Sequence, residues 1–137
     1  MRITYCDTKK DLPSEQLHQL FMAVGWSDGS GTAHMLQHFN APFIHSTLVV
    51  SAWDGEHLVG CIRVLSDQII RSVIYDLAVE PAYQNKGIGK ELIKRCMAHF
   101  PDSQWLVGTT HDISGYYQKL GFQVESGVFL SKASKWF

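Results

Sequence analysis

The sequence lacks any long hydrophobic run. A membrane helix needs about eighteen consecutive apolar residues, and no such stretch occurs in this 137-residue chain. The first residues, MRITYCDTKKDLP, also lack the apolar core of a signal peptide. We therefore expect a cytoplasmic protein that has no membrane partner.

An excess of charge of one sign is also missing. Twelve Lys and Arg residues stand against thirteen Asp and Glu residues, for a net charge of −1. Without a broad basic face the chain cannot hold nucleic acid by releasing counterions, so we expect no nucleic-acid partner. The length favours one domain that covers residues 1–137.

Cysteine is scarce, and no metal site is predicted. Cys6, Cys61 and Cys96 are far apart and form no CxxC pair, which argues against a disulfide framework and against zinc. Each is predicted to be a small buried apolar residue. His34 and His38 have the i, i+4 spacing of zinc ligands, but no Glu stands at position 35 and no third ligand is evident. They are predicted to lie on an exposed helix face.

The hydrophobic pattern predicts a chain in which strands and helices are mixed. Strands are predicted in MRITYC, STLVVSAW, HLVGCIRVLS, SVIYDLAV and QWLVGTT, and a final pair in FQVESGVFLSK around Ser126-Gly127. Asp54-Gly55 is predicted to form the hairpin turn between the second and third strands. Helices are predicted in LHQLFMAVGW, in AHMLQHF (stopped by Asn40 and Pro42), over residues 88–100 and in ISGYYQKL. The predicted fold is an α/β or α+β domain with a mixed sheet.

The stretch YQNKGIGKELI, residues 83–93, lies where a predicted strand gives way to a helix. Backbone N–H groups in the first turn of a helix have no partner inside it, and the helix dipole adds positive charge there. Gly87 and Gly89 let the main chain approach an anion, while Lys86 and Lys90 add charge. This pattern suits a pyrophosphate.

Two common phosphate loops do not match this stretch. A Rossmann fingerprint needs a third glycine at position 92, which is Leu92. A Walker loop needs Gly at position 84 and Ser or Thr at position 91, where Gln84 and Glu91 stand. By itself the Gly-Ile-Gly sequence is also compatible with a simple turn.

Two longer stretches carry a family resemblance. Residues 77–89, LAVEPAYQNKGIG, resemble motif A of the GCN5-related N-acetyltransferase (GNAT) family, and residues 116–122, YYQKLGF, resemble its motif B. One predicted helix and one predicted strand separate the two, as in the family, and the predicted element order matches over nearly the whole chain. The resemblance implies a mixed, mostly antiparallel twisted sheet flanked by helices.

The resemblance also implies an acetyl-CoA site without a metal. In the family, backbone groups of the strand before the loop pair with the pantetheine arm, which here places Leu77, Ala78 and Val79 along the cofactor. The loop that would hold the CoA pyrophosphate comprises Gln84, Asn85, Lys86, Gly87, Ile88, Gly89 and Lys90.

The reaction that the resemblance implies moves an acetyl group from a thioester to an amine. A family-like bulge in the strand would leave the N–H of Leu77 free to face the acetyl oxygen as it becomes an oxyanion. Tyr117 matches the motif B tyrosine, and a phenol of pKa about 10 can give a proton to the departing thiolate. Its neighbour Tyr116 is predicted to pack in the core.

Asp76 places a charge inside an apolar strand, which is costly unless the charge is paired or functional. Its position before Leu77 predicts a carboxylate near the acetyl carbon, in contact with the substrate amine or with a water that removes the proton. A salt bridge to Arg63 or Arg71 is the alternative. Glu80 is an alternative base.

The acceptor is less well defined by the sequence. Trp26 follows a predicted helix in a region that often lines the acceptor pocket in this family, although core packing is an equal alternative. A small cationic amine is favoured because Asp76, Glu80 and Asp28 could offset its charge while Trp26 covers its carbon body. A protein or peptide amino group, or a CoA-binding module without turnover, are the alternatives.

Two further features bear on the family assignment. Thr110 or His111 stands where many members carry an Asn at the end of the strand before motif B. Homodimers are common in the family, although no residue pattern here identifies an interface.

Overall fold

The structure is a computed structural model, and it describes residues 2–136. The chain forms two compact units, Met1–Val107 and Gly108–Phe137. That residues 1–137 act as one domain stays a prediction.

The first unit is built on a five-stranded mixed sheet with the strand order β1-β2-β3-β4-β5. Neighbours among the first four strands are antiparallel, and β5 is parallel to β4. This confirms the predicted mixed, mostly antiparallel sheet flanked by helices. The strands are β1 (Ile3–Cys6), β2 (Leu48–Asp54), β3 (His57–Ser66), β4 (Arg71–Val79) and β5 (Gln104–Val107).

Helices connect these strands and largely follow the predicted pattern. They are α1 (Ser14–Ala23), α2 (Ala33–Gln37), α3 (Ala41–Ile44), a 3₁₀ turn (Pro81–Tyr83) and α4 (Ile88–Met97). The short helix α3 was not predicted, because Asn40 and Pro42 are typical of a helix stop. Pro42 instead lies in the first turn of α3, where the missing N–H of proline costs nothing.

The helices α1 and α4 cover opposite faces of the sheet. Leu17 and Leu20 of α1 belong to a buried cluster that contains Cys61 of β3. Gly60, the preceding residue, faces α4: a Cβ built on it would lie 3.4 Å from Leu92 Cδ1 and 3.5 Å from an Ile88 methyl group. Because successive strand residues point to opposite sides, the two helices lie on different faces.

Gly60 also permits close contact between strands. The same Cβ would lie 3.2 Å from the carbonyl oxygen of Ala78 in β4. Glycine therefore avoids a tight contact with the β4 backbone at the point where α4 packs onto β3 and β4.

Two sequence predictions in this unit need correction. Asp54 pairs with His57, so the hairpin loop is Gly55-Glu56 rather than Asp54-Gly55, and the positive φ of 62° belongs to Gly55. Cys61 and Cys96 are buried as predicted, but Cys6 is only partly buried, because it lies on the edge strand β1.

The second unit contains α5 (His111–Gln118), as predicted. The predicted final strands around Ser126-Gly127 are absent from the part of this unit that the structure describes, which has no strand after α5. Val128, Phe129 and Leu130 are 86%, 93% and 85% exposed. High β propensity alone does not make a strand, because a strand needs a neighbour to bond its backbone.

None of the helices within residues 2–136 has the length and apolar character needed to cross a membrane.

Candidate functional site

One side of β4 is open over the second half of the strand. β3 pairs with β4 as far as Val79, whereas β5 pairs only with residues 71–74. Within the described residues, no strand lies beside residues 75–79 on the side away from β3. We call this side the open edge of β4. It contains Leu77, Ala78 and Val79, and such an edge can accept an extended ligand as an added strand.

A β-bulge marks the beginning of the open edge. Arg63 of β3 pairs with Asp76, and the next residue, Val64, pairs with Ile74, so Tyr75 is an extra residue in β4. A bulge in this strand was predicted, and the structure places it at Tyr75, two residues before Leu77. Bulges re-aim the backbone that follows them. That the Leu77 N–H faces an acetyl oxygen stays a prediction.

The glycine-containing loop follows the open edge directly. The side-chain amide of Gln84 donates a hydrogen bond of 2.9 Å to the carbonyl of Val79, which fixes the start of the loop to the end of the strand. Asn85 and Gly87 adopt positive φ angles of 62° and 83°. Asn and Gly are the residues that tolerate this conformation best.

The loop ends at the N-terminus of α4. The first hydrogen bond of the helix runs from the Glu91 N–H to the Gly87 carbonyl, at 3.0 Å. The N–H groups of Ile88, Gly89 and Lys90 precede it and therefore have no partner inside the helix. Ile88 is buried and anchors this turn, while Lys90 is exposed.

The exposed side of the loop has room for an anion. A Cβ built on Gly87 would meet no atom within 4 Å. Lys86 is exposed beside it and adds positive charge to the helix terminus. The geometry thus suits the pyrophosphate that the sequence predicts.

The hairpin between β2 and β3 supports the segment that leads into the loop. His57 Nε2 lies 2.7 Å from a carboxylate oxygen of Glu80, and the Tyr83 hydroxyl donates a hydrogen bond of 2.6 Å to Asp54. The hydrogen bond to Asp54 raises the pKa of Tyr83. The carboxylate of Glu80, the alternative base, thus already has a hydrogen-bond partner in His57.

Asp76 forms an ion pair with Arg63, as the alternative interpretation predicted. Arg63 Nε lies 2.5 Å from an Asp76 carboxylate oxygen, and the two side chains are 18% and 21% exposed. A neighbouring arginine therefore already balances the Asp76 charge. The catalytic role of Asp76 stays a prediction.

Arg63 has further partners that the sequence analysis did not identify. Its guanidinium carbon lies 5.7 Å from the ring centroid of Phe43 and 5.4 Å from that of Tyr75. A signal was available, because Arg63 interrupts the apolar strand β3 as Asp76 interrupts β4.

The predicted acceptor residues lie near the end of α1. Trp26 is 51% exposed, and its ring contacts Phe21 edge-on at 5.2 Å. It is therefore half outside the core and available to a ligand. Asp28 accepts a hydrogen bond of 2.8 Å from the Ser30 N–H. Hydrogen bonding to Ser30, mainly by its side chain and then by its backbone, lowers the pKa of Asp28. Its carboxylate binds its own loop.

His34 and His38 are exposed, as predicted, and their ring centroids lie 4.4 Å apart with the ring planes tilted by 33°. Within residues 2–136 no three His, Cys, Asp or Glu side chains come close enough together to hold a metal ion.

The second unit contains the two motif B tyrosines. Of the two, Tyr116 is the more exposed, contrary to the prediction. Tyr117 is 8% exposed, whereas Tyr116 is 41% exposed, so the prediction that Tyr116 packs in the core is wrong. Adjacent helix residues point in different directions, and Tyr117 is the one that faces inward. Burial is the main cause that raises the pKa of Tyr117 to about 12. Its phenol therefore stays protonated.

Thr110 and His111, which replace the usual Asn, lie at the start of α5. Thr110 is the N-cap residue, and His111 is the first helical residue. Both are exposed.

A groove of about 520 Å³ lies between α1 and α2 and was not predicted from the sequence. It contains none of the predicted site residues, and its lining consists of Ser14, Glu15, His18, Gln19, Met22, Leu36 and Gln37.

Comparison with known proteins identifies similar domains. Residues 45–124, more than half of the chain, match the family model described as "Acetyltransferase (GNAT) domain". A solved structure of a GNAT family acetyltransferase from Streptococcus pneumoniae is 29% identical, with a TM-score of 0.76, over 97% of this chain and 100% of that one.

Two curated relatives are similar over part of their length. An uncharacterized N-acetyltransferase from Prochlorococcus marinus is 27% identical over 80% of this chain and 62% of its own. A soybean (Glycine max) protein named histone acetyltransferase is 30% identical over 53% of this chain and 32% of its own. The chain therefore spans less than two thirds of the length of either relative.

Proposed function

The chain belongs to the GNAT acetyltransferase family, and from this premise we propose that it moves an acetyl group from acetyl-CoA to a primary amine. The observation that carries the proposal is the continuity of the open edge of β4 with the loop at the start of α4. Residues 75–90 combine, in one segment, a strand edge without a neighbouring strand for a pantetheine arm and helix N-terminal N–H groups for a pyrophosphate. Acetyl-CoA carries both groups.

The proposed reaction is direct attack by the amine. The amine nitrogen forms a bond to the acetyl carbon, the carbon–sulfur bond breaks, and CoA leaves as a thiolate. The Leu77 N–H would stabilise the oxyanion, and Asp76 or a water would remove the proton from the amine.

Tyr117 is the proposed proton donor to the thiolate. A phenol is protonated throughout the neutral range even at its ordinary pKa of about 10, so a proton is present when sulfur develops negative charge. Burial raises the pKa of Tyr117 to about 12, which makes it a weaker acid than a free phenol.

We propose a small cationic amine as the acceptor. Support comes from Trp26, since an exposed indole can cover an alkyl chain or attract a cation. Asp76 contributes less charge than expected, because Arg63 forms an ion pair with it, and the Glu80 carboxylate already lies 2.7 Å from His57 Nε2.

Two alternative functions have their own support. The relative named histone acetyltransferase favours a protein amino group as acceptor. A CoA-binding module without turnover would need only the open edge and the loop.

A homodimer is also proposed, on the ground that homodimers are common in the family.

The test is release of CoA thiol from acetyl-CoA in a panel of polyamines, arylalkylamines, aminoglycosides and peptides. We expect amine-dependent thiol release, with the small amines as the best acceptors. Preference for peptides would favour the protein acceptor. Tight acetyl-CoA binding with no release across the panel would favour the binding module.

A further inference from the structure

Arg63 contacts both residues that form the bulge in β4. Its register partner is Asp76, and its Nε lies 2.5 Å from that carboxylate. Its guanidinium carbon also lies 5.4 Å from the ring centroid of Tyr75, the extra residue. One side chain from β3 therefore spans the point where the ladder between β3 and β4 changes register.

Two buried residues, Phe43 and Ser46, also contact the Arg63 side chain. Phe43 is 2% exposed, and its ring centroid lies 5.7 Å from the guanidinium carbon. The hydroxyl of Ser46, a residue that is 3% exposed, lies 3.4 Å from an Arg63 terminal nitrogen. Guanidinium is planar and stacks on aromatic rings, so these contacts fix its orientation as well as its position.

The bulge determines which backbone groups reach the open edge. Strand residues alternate in direction, so a slip of one residue exchanges the groups that face β3 with those that face the opposite side. If Tyr75 took a regular place in the ladder, the N–H and carbonyl groups of Leu77, Ala78 and Val79 would change sides. The ligand would then meet a different pattern of donors and acceptors.

We propose that Arg63 is a positioning residue that fixes the bulge and thereby sets the register of the open edge for acetyl-CoA. The identity of the ligand rests on the proposed function, whereas the control of register does not. Arg63 acts through Tyr75 and Asp76 and need not touch the cofactor.

The test compares Arg63→Met with a matched control, Arg95→Met. Arg95 has partners of the same kind away from the bulge: it lies 3.0 Å from Glu91 and 4.5 Å above the ring of Tyr5. Acetyl-CoA affinity is measured by calorimetry. Amide hydrogen exchange of residues 75–79 is measured by NMR in the protein without ligand, relative to residues 49–52 of β2.

For Arg63→Met we expect roughly tenfold weaker acetyl-CoA binding and roughly tenfold faster exchange over residues 75–79, about the effect of one charge-assisted hydrogen bond. Arg95→Met should change neither quantity. Exchange over residues 75–79 that matches the control would overturn the proposal.

A double variant excludes a simpler explanation. Arg63→Met leaves the Asp76 carboxylate unpaired, and that charge alone could disturb the strand. In Arg63→Met with Asp76→Asn the charge is gone but the bridge across the bulge is still missing. We expect affinity and exchange to stay impaired; recovery of both would show that Arg63 only neutralises Asp76, against the proposal.

Two further results keep the proposals separate. If the Met variant does not fold, Arg63→Lys takes its place: it keeps a charge for Asp76 but has no planar guanidinium to contact Tyr75 and Phe43 together, and should still speed exchange. If the wild-type protein does not bind acetyl-CoA, the proposed function fails, while exchange over residues 75–79 still decides the role of Arg63.

Discussion

Tyr116 and Tyr117 are neighbours in the sequence, yet only one of them is buried. Tyr117 is 8% exposed and Tyr116 is 41% exposed. We expect Tyr117→Phe to bind acetyl-CoA nearly normally but to turn over roughly 10²–10⁴-fold more slowly, the usual contribution of a positioned proton donor. Steady-state kinetics with an accepted amine, together with calorimetry, give both quantities.

The pH dependence and a neighbouring variant test this assignment. Rising pH lets the thiolate leave without a donor, so the deficit of Tyr117→Phe should narrow at alkaline pH. Tyr116→Phe should be nearly silent. If Tyr116→Phe is the slower variant, or if neither is slow, the general-acid role of Tyr117 is wrong.

Tyr117 should also make stability depend on pH in the alkaline range. Burial raises its pKa from 10.0 to about 12. Between these values the unfolded chain loses the proton while the folded protein keeps it. The stabilisation is complete below pH 10 and is lost as pH rises towards 12, at a cost of roughly 2–3 kcal/mol.

The measurement is denaturant unfolding of the wild type and of Tyr117→Phe at several pH values. The free energy of unfolding of the wild type should fall more steeply than that of the variant above pH 10. Parallel curves would contradict the raised pKa.

At the scale of the element, a substitution in the loop before α4 should abolish acetyl-CoA binding. Gly87→Glu places a side chain and a negative charge in the open space where the pyrophosphate is proposed to lie. We expect acetyl-CoA binding to be lost in calorimetry while the protein remains folded.

Gly55→Glu is the matched control for this loop variant. Gly55 also has a positive φ, 62° against 83° for Gly87, and a Cβ built on it would also meet nothing within 4 Å. Both variants carry similar backbone strain and the same charge change, but Gly55 lies in the hairpin loop. Equal affinity in the two folded variants would exclude the phosphate role of the loop.

Elements with strong local patterns were predictable from the sequence, and elements that depend on distant contacts were not. The strands β2, β3 and β4 follow from long apolar runs between turn residues. The helix α3 has only the four residues Ala41–Ile44, too few to show a helical period. The segment around Ser126-Gly127 has the composition of a strand, but composition does not reveal whether a partner strand is present.

The candidate site divides in the same way. Residues 77–79 and 84–90 could be predicted because one continuous stretch carries them. The position of the bulge depends on pairing between β3 and β4, and the rings around Arg63 come from α3 and β4. Neither the strand register nor the contacts between distant residues can be read from the sequence. Of the Arg63 contacts, only an ion pair with Asp76 was predicted.

At the scale of the whole molecule, the two units should differ in their resistance to proteolysis. Phe129 is 93% exposed in a segment without helix or strand, whereas Phe43 is 2% exposed. We expect brief chymotrypsin treatment to cut after Phe129 before any site in the first unit, because proteases act on exposed, irregular backbone. Mass spectrometry of the fragments identifies the site.

Phe129→Ser provides the control, since it should remove this first cut without altering the others. Protection of Phe129 equal to that of Phe43 would contradict the prediction.

Gly60, which lies between α4 and the carbonyl of Ala78, has a consequence for how this chain can diversify. In a saturating mutational library selected for acetyl-CoA binding, position 60 should retain glycine and admit little beyond alanine, although it lies outside the proposed cofactor-contacting segment. A side chain larger than a methyl group would meet Ile88 and Leu92, move the first turn of α4 and, with it, move the loop N–H groups. Whether a substitution preserves acetyl-CoA binding would then depend on how it shifts a neighbouring helix or strand, and not on how far it lies from the ligand.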